Sequence, residues 1–255
     1  MKNSCTVVII PARSGSKSIK NKNIQVIGTK SLLQHSIDFA KNLDDIDRIL
    51  VSTDSEVYAA IARRHGAWVP FLRPVDLSLD LSKDLSVMQH ATRWVLENVG
   101  LVVTTVVWLR PSYPFRDTRF VNEELRKFKD FDKSCSARTI RFASESPYKM
   151  WSMKPTSELQ RVVGNVDDDL HNSPRQVLPT VFWQDGYIDF YNSCYFNGTE
   201  CDHDILISGL MTPAENLISD IDHKSDFERV SQNFNESQQV NFRKIDQIEN
   251  NEYSS

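Results

Sequence analysis

The chain has 255 residues, 40% hydrophobic and 25% charged, a globular balance that supports a buried core and excludes wholesale disorder. Its formal net charge of -4 excludes the broad basic field of a nucleic-acid binder, so an anionic ligand has to be held by a local cluster of cations. The four cysteines, Cys5, Cys135, Cys194 and Cys201, form no CxxC pair, which argues against a zinc site and reads as the reduced thiols of a cytoplasmic protein.

The first apolar run, Thr6–Ile10, is closed by Pro11 and Arg13. It is too short for a leader and reads as a buried strand. No segment reaches the length of a membrane span. Ser31–Asn42 carries Leu33, Ile37 and Ala40 at helical spacing, with Ser31 as its cap. Arg48–Ser52 reads as a second buried strand. Ser55–His65 reads as a helix with Val57, Ile61 and Ala62 on one face and Gly66 as its stop. Ala67–Leu72 reads as a third strand. Asp84–Asn98 reads as a helix with Val87, Ala91, Trp94 and Val95 inward. Leu101–Leu109, the longest β-branched apolar run, is the expected central strand, and Thr118–Phe128 another amphipathic helix.

Strands alternating with helices over the first 130 residues or so imply an α/β fold, a mostly parallel sheet with helices on both faces. Ligands of such sheets sit beyond the carboxyl ends of the strands. The pattern changes after about Asp132. Residues 134–153 and 180–196 are short aromatic-rich strand-like pieces, and 154–179 are polar and irregular. A strand at Glu215–Ser219 and a helix at Ser225–Phe234, with Phe227, Val230 and Phe234, restore the alternation. The expectation is therefore one domain over 1–237, with a β-rich extension over about 134–200, and a polar tail over 238–255.

Four constellations could carry chemistry. The loop after the first strand, PARSGSK over Pro11–Lys17, joins small residues to Arg13 and Lys17, and Lys20–Asn21–Lys22–Asn23 follow. Small residues let backbone N–H groups approach phosphate oxygens, and the cations supply charge. It is neither a Walker A loop, since Ser16 precedes Lys17, nor a dinucleotide G-x-G-x-x-G loop. By itself it reads more readily as a solvated surface loop. Arg73 stands beside Pro74, followed by Asp80, Ser82 and Asp84; Ser82 or Asp84 is equally a helix cap. Arg110 to Arg116, RPSYPFR, is a proline-braced turn at the end of the longest strand. In Ser219–Asp220–Ile221–Asp222 a strand places both carboxylates on one side, an oxygen site suited to Mg²⁺; the alternative is a turn capping the next helix. Basic loops and an acidic pair at one end of a sheet suit transfer of a nucleotidyl group from a triphosphate.

Seven motifs in order, VIIPARSGSK over Val8–Lys17, LVSTD over Leu50–Asp54, PFLRP over Pro70–Pro74, LRPSYPFR over Leu109–Arg116, SPYKMW over Ser146–Trp151, PRQVLP over Pro174–Pro179 and SDIDHKSDF over Ser219–Phe227, resemble the acylneuraminate cytidylyltransferases (CMP-sialic acid synthetases). The resemblance implies a nucleotide-diphospho-sugar transferase-like fold and a homodimer in which the middle extension reaches the partner. It implies CTP and a free acidic keto-sugar as substrates, CMP-sugar and pyrophosphate as products, and Mg²⁺ as cofactor. It implies that Arg13, Ser16 and Lys17 hold phosphate, with Ser14 and Gly15 among the nucleotide-binding residues and Arg13, Lys17 and Asp222 in the catalytic machinery. Lys22 and Asn23 are matched to nucleotide contacts, Arg73 and Ser82 to the surroundings of cytosine, and Asp220 and Asp222 to a metal-binding pair. Lys149 and Arg175 are matched to cations facing the sugar carboxylate, and Arg110, Gln176 and Asp185 are assigned to the sugar site. The chain departs from the family pattern at three places. Arg110 stands where a glutamine is usual, Trp183–Gln184–Asp185–Gly186 where R-P-N-G is common, and Ser14 where glycine is common.

Overall fold

Side-chain alternation through the first strand, β1 (Ser4–Pro11), decides the architecture. Val8 and Ile10 enter one core and Val7 and Ile9 another, because successive strand residues point to opposite faces. A strand buried on both faces needs helices on both. The computed structural model describes residues 4–131, 135–164, 169–197, 206–213 and 220–235.

After β1 come the short antiparallel pair β2 (Val26–Ile27) and β3 (Lys30–Ser31), then α1 (Leu32–Lys41), β4 (Arg48–Ser52), α2 (Glu56–Arg64), α3 (Asp84–Val99), β5 (Val102–Trp108) and α4 (Thr118–Asp130). They are followed by β6 (Ser136–Phe142), β7 (Trp151–Met153), β8 (Leu159–Arg161), β9 (Phe182–Asn192), α5 (Ser193–Phe196) and β10 (Ile207–Met211). A last helix, α6, covers 224–235. Among the described residues the main sheet has the order β10-β6-β9-β5-β1-β4. β4 and β5 flank β1 in parallel and β9 runs antiparallel to β5. The fold is the expected α/β class, with β5 in the interior of the sheet.

One face packs α1, α2 and α4 through Leu33, Ile37, Tyr58, Ala62, Val121 and Leu125. The other packs α3 and α5 through Val87, Met88, Ala91, Val95 and Phe196. The expected cap is in place, Ser31 accepting from the backbone N–H of Gln34, and Ser55 caps α2 in the same way through the N–H of Tyr58. A third cluster seats α6, with Val230 against Ile27, Leu32 and Ile221. The ring of Phe234 lies over Gly28, whose φ is +66°; a Cβ there would meet the ring at 2.3 Å. Glycine at this position thus satisfies both the left-handed backbone and the close approach of α6.

Several expectations are corrected. Val57 is 63% exposed; α2 instead buries Tyr58, Ala59 and Ala62. Residues 67–72 form no strand, only a single parallel bridge of Trp68 to Leu50, since Pro70 removes a donor and Pro74 constrains its neighbour. The aromatic-rich pieces on either side of the middle segment are not an appendage: β6 and the 11-residue β9 are strands of the main sheet. The expected strand at 215–219, residues 198–200 of the expected extension, and the tail from 238 lie outside the described residues.

Residues 140–185 form a compact unit of their own, distinct from the unit of 1–139 and 186–255. Within it β7 and β8 make an antiparallel hairpin, with Trp151 opposite Arg161. The stretch 154–179, expected to be irregular, contains β8 and two 3₁₀ turns at 170–172 and 175–177. No helix among the described residues is long and apolar enough to cross a membrane.

Candidate functional site

Beyond the carboxyl ends of β1 and β5 the larger unit holds a cleft of about 460 Å³, within the size range of small-ligand sites. Arg13, Ser16 and Lys17 from the loop after β1 line it, with Lys22 and Asn23, Arg73, Ser82, Arg110 and Asp222. Residues from four separate motifs thus meet in one place. The cleft presents five cationic side chains, Arg13, Lys17, Lys22, Arg73 and Arg110, against the carboxylates of Asp80, Asp84 and Asp222. Its local balance is therefore positive in a chain that is negative as a whole, as an anion site requires.

The loop after β1 is held from behind. Both the backbone N–H and the hydroxyl of Ser14 donate to the carboxylate of Asp54, at 2.8 and 2.9 Å. The buried Asn23 amide donates to the Arg13 carbonyl at 2.9 Å, and Arg13 Nη1 donates to the Gly15 carbonyl at 2.9 Å. Ser14 is thus occupied with Asp54, and neither it nor Gly15 lines the cleft; both were expected as nucleotide contacts. The role of Asp54 was not foreseen, although the LVSTD motif that ends on it was noted. The free ends of Arg13 and Lys17 converge on the Asp80 carboxylate, at 2.8 and 2.5 Å. Hydrogen bonds from Lys17 and Arg13 hold the Asp80 carboxyl below the usual carboxylate range.

Arg73 is buried where β4 ends. Its backbone N–H donates to the Thr53 carbonyl at 2.7 Å, Nε to the Ser52 hydroxyl at 3.0 Å, and Nη2 to the Ser52 carbonyl. Burial lowers its pKa to about 10, against the pull of Asp54 and Asp84. The Ser82 hydroxyl donates to the Asp76 carbonyl at 3.0 Å. Neither Ser82 nor Asp84 caps α3; the cap position is Lys83, without a side-chain bond.

Arg110 leaves β5 between two acids. Nη2 lies 2.8 Å from Asp84 and Nη1 2.8 Å from Asp189, whose side chain has no exposed surface. Burial opposes the Arg110 charge, but Asp189 and Asp84 outweigh it and raise the pKa above its ordinary value. The turn behind Arg110 is held by Arg116, which donates to the carbonyls of Tyr187 at 2.6 Å, Arg110 at 2.8 Å and Tyr113. Its guanidinium also lies over the rings of Phe39, Tyr113 and Tyr187. Burial lowers the Arg116 pKa to about 10. Sequence reasoning noted the PFR end of this motif without assigning its arginine this work.

Residues 220–222 are not a strand, so the argument that both carboxylates share a strand face does not apply. Ile221 is buried, and its N–H donates to the Ser112 carbonyl at 2.9 Å. Asp222 turns to the cleft, where Lys22 Nζ reaches its Oδ1 at 3.2 Å and the Ile221 carbonyl at 2.8 Å. Asp220 does not line the cleft. Its carboxyl accepts from Ser112, and burial and then Asp222 push its pKa up despite that bond. Asp220 Oδ1 is buried without a hydrogen-bond partner. A buried carboxylate oxygen lacking a donor, near a second carboxylate, fits a hard cation. No group of three His, Cys, Asp or Glu side chains suited to a metal occurs among the described residues. A carboxylate pair is nevertheless the usual protein share of a Mg²⁺ site completed by phosphates and water.

Lys149, Arg175 and Gln176 belong to the 140–185 unit and are exposed there. Arg175 donates to the Ser144 carbonyl. Asp185, assigned to the sugar site, is buried.

Residues 7–98 match the family model described as cytidylyltransferase. The chain is 34% identical over 127 residues to an N-acylneuraminate cytidylyltransferase of Escherichia coli O18:K1:H7, a match covering 50% of this chain and 29% of that protein. It is also 34% identical over 128 residues to a pseudaminic acid cytidylyltransferase of Campylobacter jejuni, covering 50% of this chain and 53% of that one. The chain thus spans about half the length, or less, of the curated relatives it matches. In fold it is similar to a CMP:2-keto-3-deoxy-manno-octonic acid synthetase solved with CTP, with a TM-score of 0.67 at 16% identity over 91% of this chain and 99% of that one. Over residues 7–98 the chain therefore carries the sequence pattern of the cytidylyltransferase family, on the fold of that synthetase.

Proposed function

We propose that this chain transfers CMP from CTP to the anomeric hydroxyl of an acidic 2-keto sugar of the sialic, legionaminic or pseudaminic acid type, releasing pyrophosphate. The observation that carries the reading is the convergence of Arg13, Lys17, Lys22, Arg73 and Asp222 on one cleft at the strand ends. The relatives' names, N-acylneuraminate and pseudaminic acid cytidylyltransferase, support the nucleotide and the class of sugar.

In this reading Arg13 and Lys17 give up Asp80 for the triphosphate, and their charges offset the negative charge that grows on the leaving pyrophosphate. Ser16 adds a hydroxyl donor beside them. Arg73, fixed by Ser52 and Thr53, and Ser82 border the place for cytosine. Lys22 steadies the 220–222 segment through the Ile221 carbonyl and turns toward phosphate once its bond to Asp222 is released. Asp220 and Asp222 would hold Mg²⁺, which when bound lowers the pKa of the attacking hydroxyl and neutralises charge at the α-phosphate. Lys149 and Arg175, with Gln176, are assigned to the sugar carboxylate from the family resemblance alone. The exposed Phe142, Met153 and Trp183 around the 140–185 unit are in keeping with a homodimer contact.

A pyrophosphate-release assay with CTP, Mg²⁺ and a panel of acidic keto-sugars tests the proposal. Release with at least one such sugar, and none with GTP, is the expected result. CTP binding without release from any of them would make the chain a nucleotide-binding module instead.

A further inference from the structure

Cys135 stands just before β6, and Cys194 lies in α5, immediately after β9. The Asn192 N–H donates to the Cys135 carbonyl at 2.9 Å, which sets the two backbones side by side. Their Sγ atoms are 2.6 Å apart across 59 residues of chain. That separation is only about 0.6 Å longer than a disulfide bond of about 2.04 Å. Both thiols are half-buried, whereas Cys5 is buried. Neither Cys135 nor Cys194 lines the cleft.

We infer that Cys135 and Cys194 are a dithiol site that closes to an intramolecular disulfide when a low-molecular-weight disulfide oxidant is present. One cysteine loses its proton, and the thiolate attacks a sulfur of the reagent, expelling one reagent thiolate and leaving a mixed disulfide. The second cysteine, deprotonated in turn, attacks the protein sulfur of that mixed disulfide and expels the other reagent thiolate. Two protein thiols are oxidised, two electrons pass to the reagent disulfide, and both leaving thiolates take up the released protons. The hydrogen bond between Asn192 and Cys135 favours the second step, because it holds the partner sulfur within reach before the mixed disulfide hydrolyses or exchanges. The bond fastens the two chain segments between which residues 136–193 leave and return. It closes a long loop, so it restricts the unfolded chain strongly.

The full chain, diluted to suppress intermolecular exchange, is treated with oxidised glutathione and examined by intact mass and non-reducing peptide mapping. The expected result is a loss of about 2 Da, corresponding to two hydrogens, and a peptide joining Cys135 to Cys194. The oxidised form should melt on the order of 10 °C higher than the reduced form. Cys135→Ser and Cys194→Ser should each abolish the mass loss and the shift. Stable glutathione adducts on both cysteines, a linkage of either to Cys201 or Cys5, or a mass loss that persists in Cys135→Ser would overturn the inference. The wild-type peptide map decides the matter even if a serine variant fails to fold.

Discussion

Arg110 Nη1 stands 2.8 Å from Oδ2 of Asp189, a carboxylate with no exposed surface. Arg110, which stands where the family that the chain resembles usually has glutamine, thus comes with a built counter-charge, and Asp84 supplies a second at 2.8 Å. Such a pair gains little over apolar packing, but losing one partner strands the other. Arg110→Gln should therefore cost about 3–5 kcal/mol of stability, and Arg110→Gln with Asp189→Asn should recover most of it. Urea unfolding midpoints for the two single variants and the double variant measure this. Equal losses for the single and double variants would show that the pairing is not what holds the site.

Asp80 occupies the place between Arg13 and Lys17 where a phosphate is expected. Its side chain is substantially exposed, so each of these bridges is weak and screened by salt. Asp80→Asn should tighten triphosphate binding up to about fivefold at low ionic strength, and the gain should shrink as salt is added. Calorimetric titration of CTP at two salt concentrations is the measurement. Weaker binding in Asp80→Asn would instead make Asp80 a positioning residue for the two cations.

His35 lies edge-on to Phe115 and Phe234, with Nε2 3.0 Å from the Ile27 carbonyl. Burial lowers its pKa, and Lys30 adds to this, against the Ile27 bond and Asp38. A histidine whose folded pKa lies below its unfolded value of about 6.5 is protonated first in the unfolded chain. Stability should therefore fall as pH drops through about 6.5 toward the lower folded pKa. His90, lowered mainly by burial, acts in the same sense. Melting temperatures of wild type and His35→Gln over this range should show a flatter profile in the variant. An unchanged slope would assign the acid sensitivity elsewhere.

Lys149→Ala and Arg175→Ala test the part of the reading that rests on resemblance alone. Each should raise the KM for the sugar about tenfold or more, the worth of a hydrogen bond to a charged group, with little change in the KM for CTP. An equal rise for both substrates would remove these side chains from the sugar site.

Much of the fold was legible because β-branched runs and helical spacing act locally. Thr6–Ile10, Arg48–Ser52 and Leu101–Leu109 became β1, β4 and β5 with at most small changes at their ends. The run at 67–72 misled because it is apolar without having a strand to pair with, beyond one bridge. β6 and β9 read as parts of an appendage because antiparallel pairing with a distant strand leaves no local mark. The cleft was legible as a set of charged motifs, since cations at strand ends stand out. The partners that fix them were not: Asp54 behind Ser14, Asp189 behind Arg110 and the carbonyls around Arg116 are relationships across 40, 79 and up to 71 residues. The two aspartates at 220 and 222 were singled out as a pair, and of the two only Asp222 lines the cleft. Their geometry was misjudged because period-two alternation applies only where the backbone is extended.

The central claim is that nucleotidyl, rather than phosphoryl, transfer occurs at this cleft. The most direct measurement follows label from CTP marked either at the α-phosphate or at the γ-phosphate, in the presence of Mg²⁺ and acidic keto-sugars. The account predicts that α-label appears in a sugar-linked product and γ-label only in pyrophosphate, and that Lys17→Ala and Asp222→Asn reduce both signals severely. Transfer of γ-label to the sugar, or full transfer of α-label by Asp222→Asn, would contradict it.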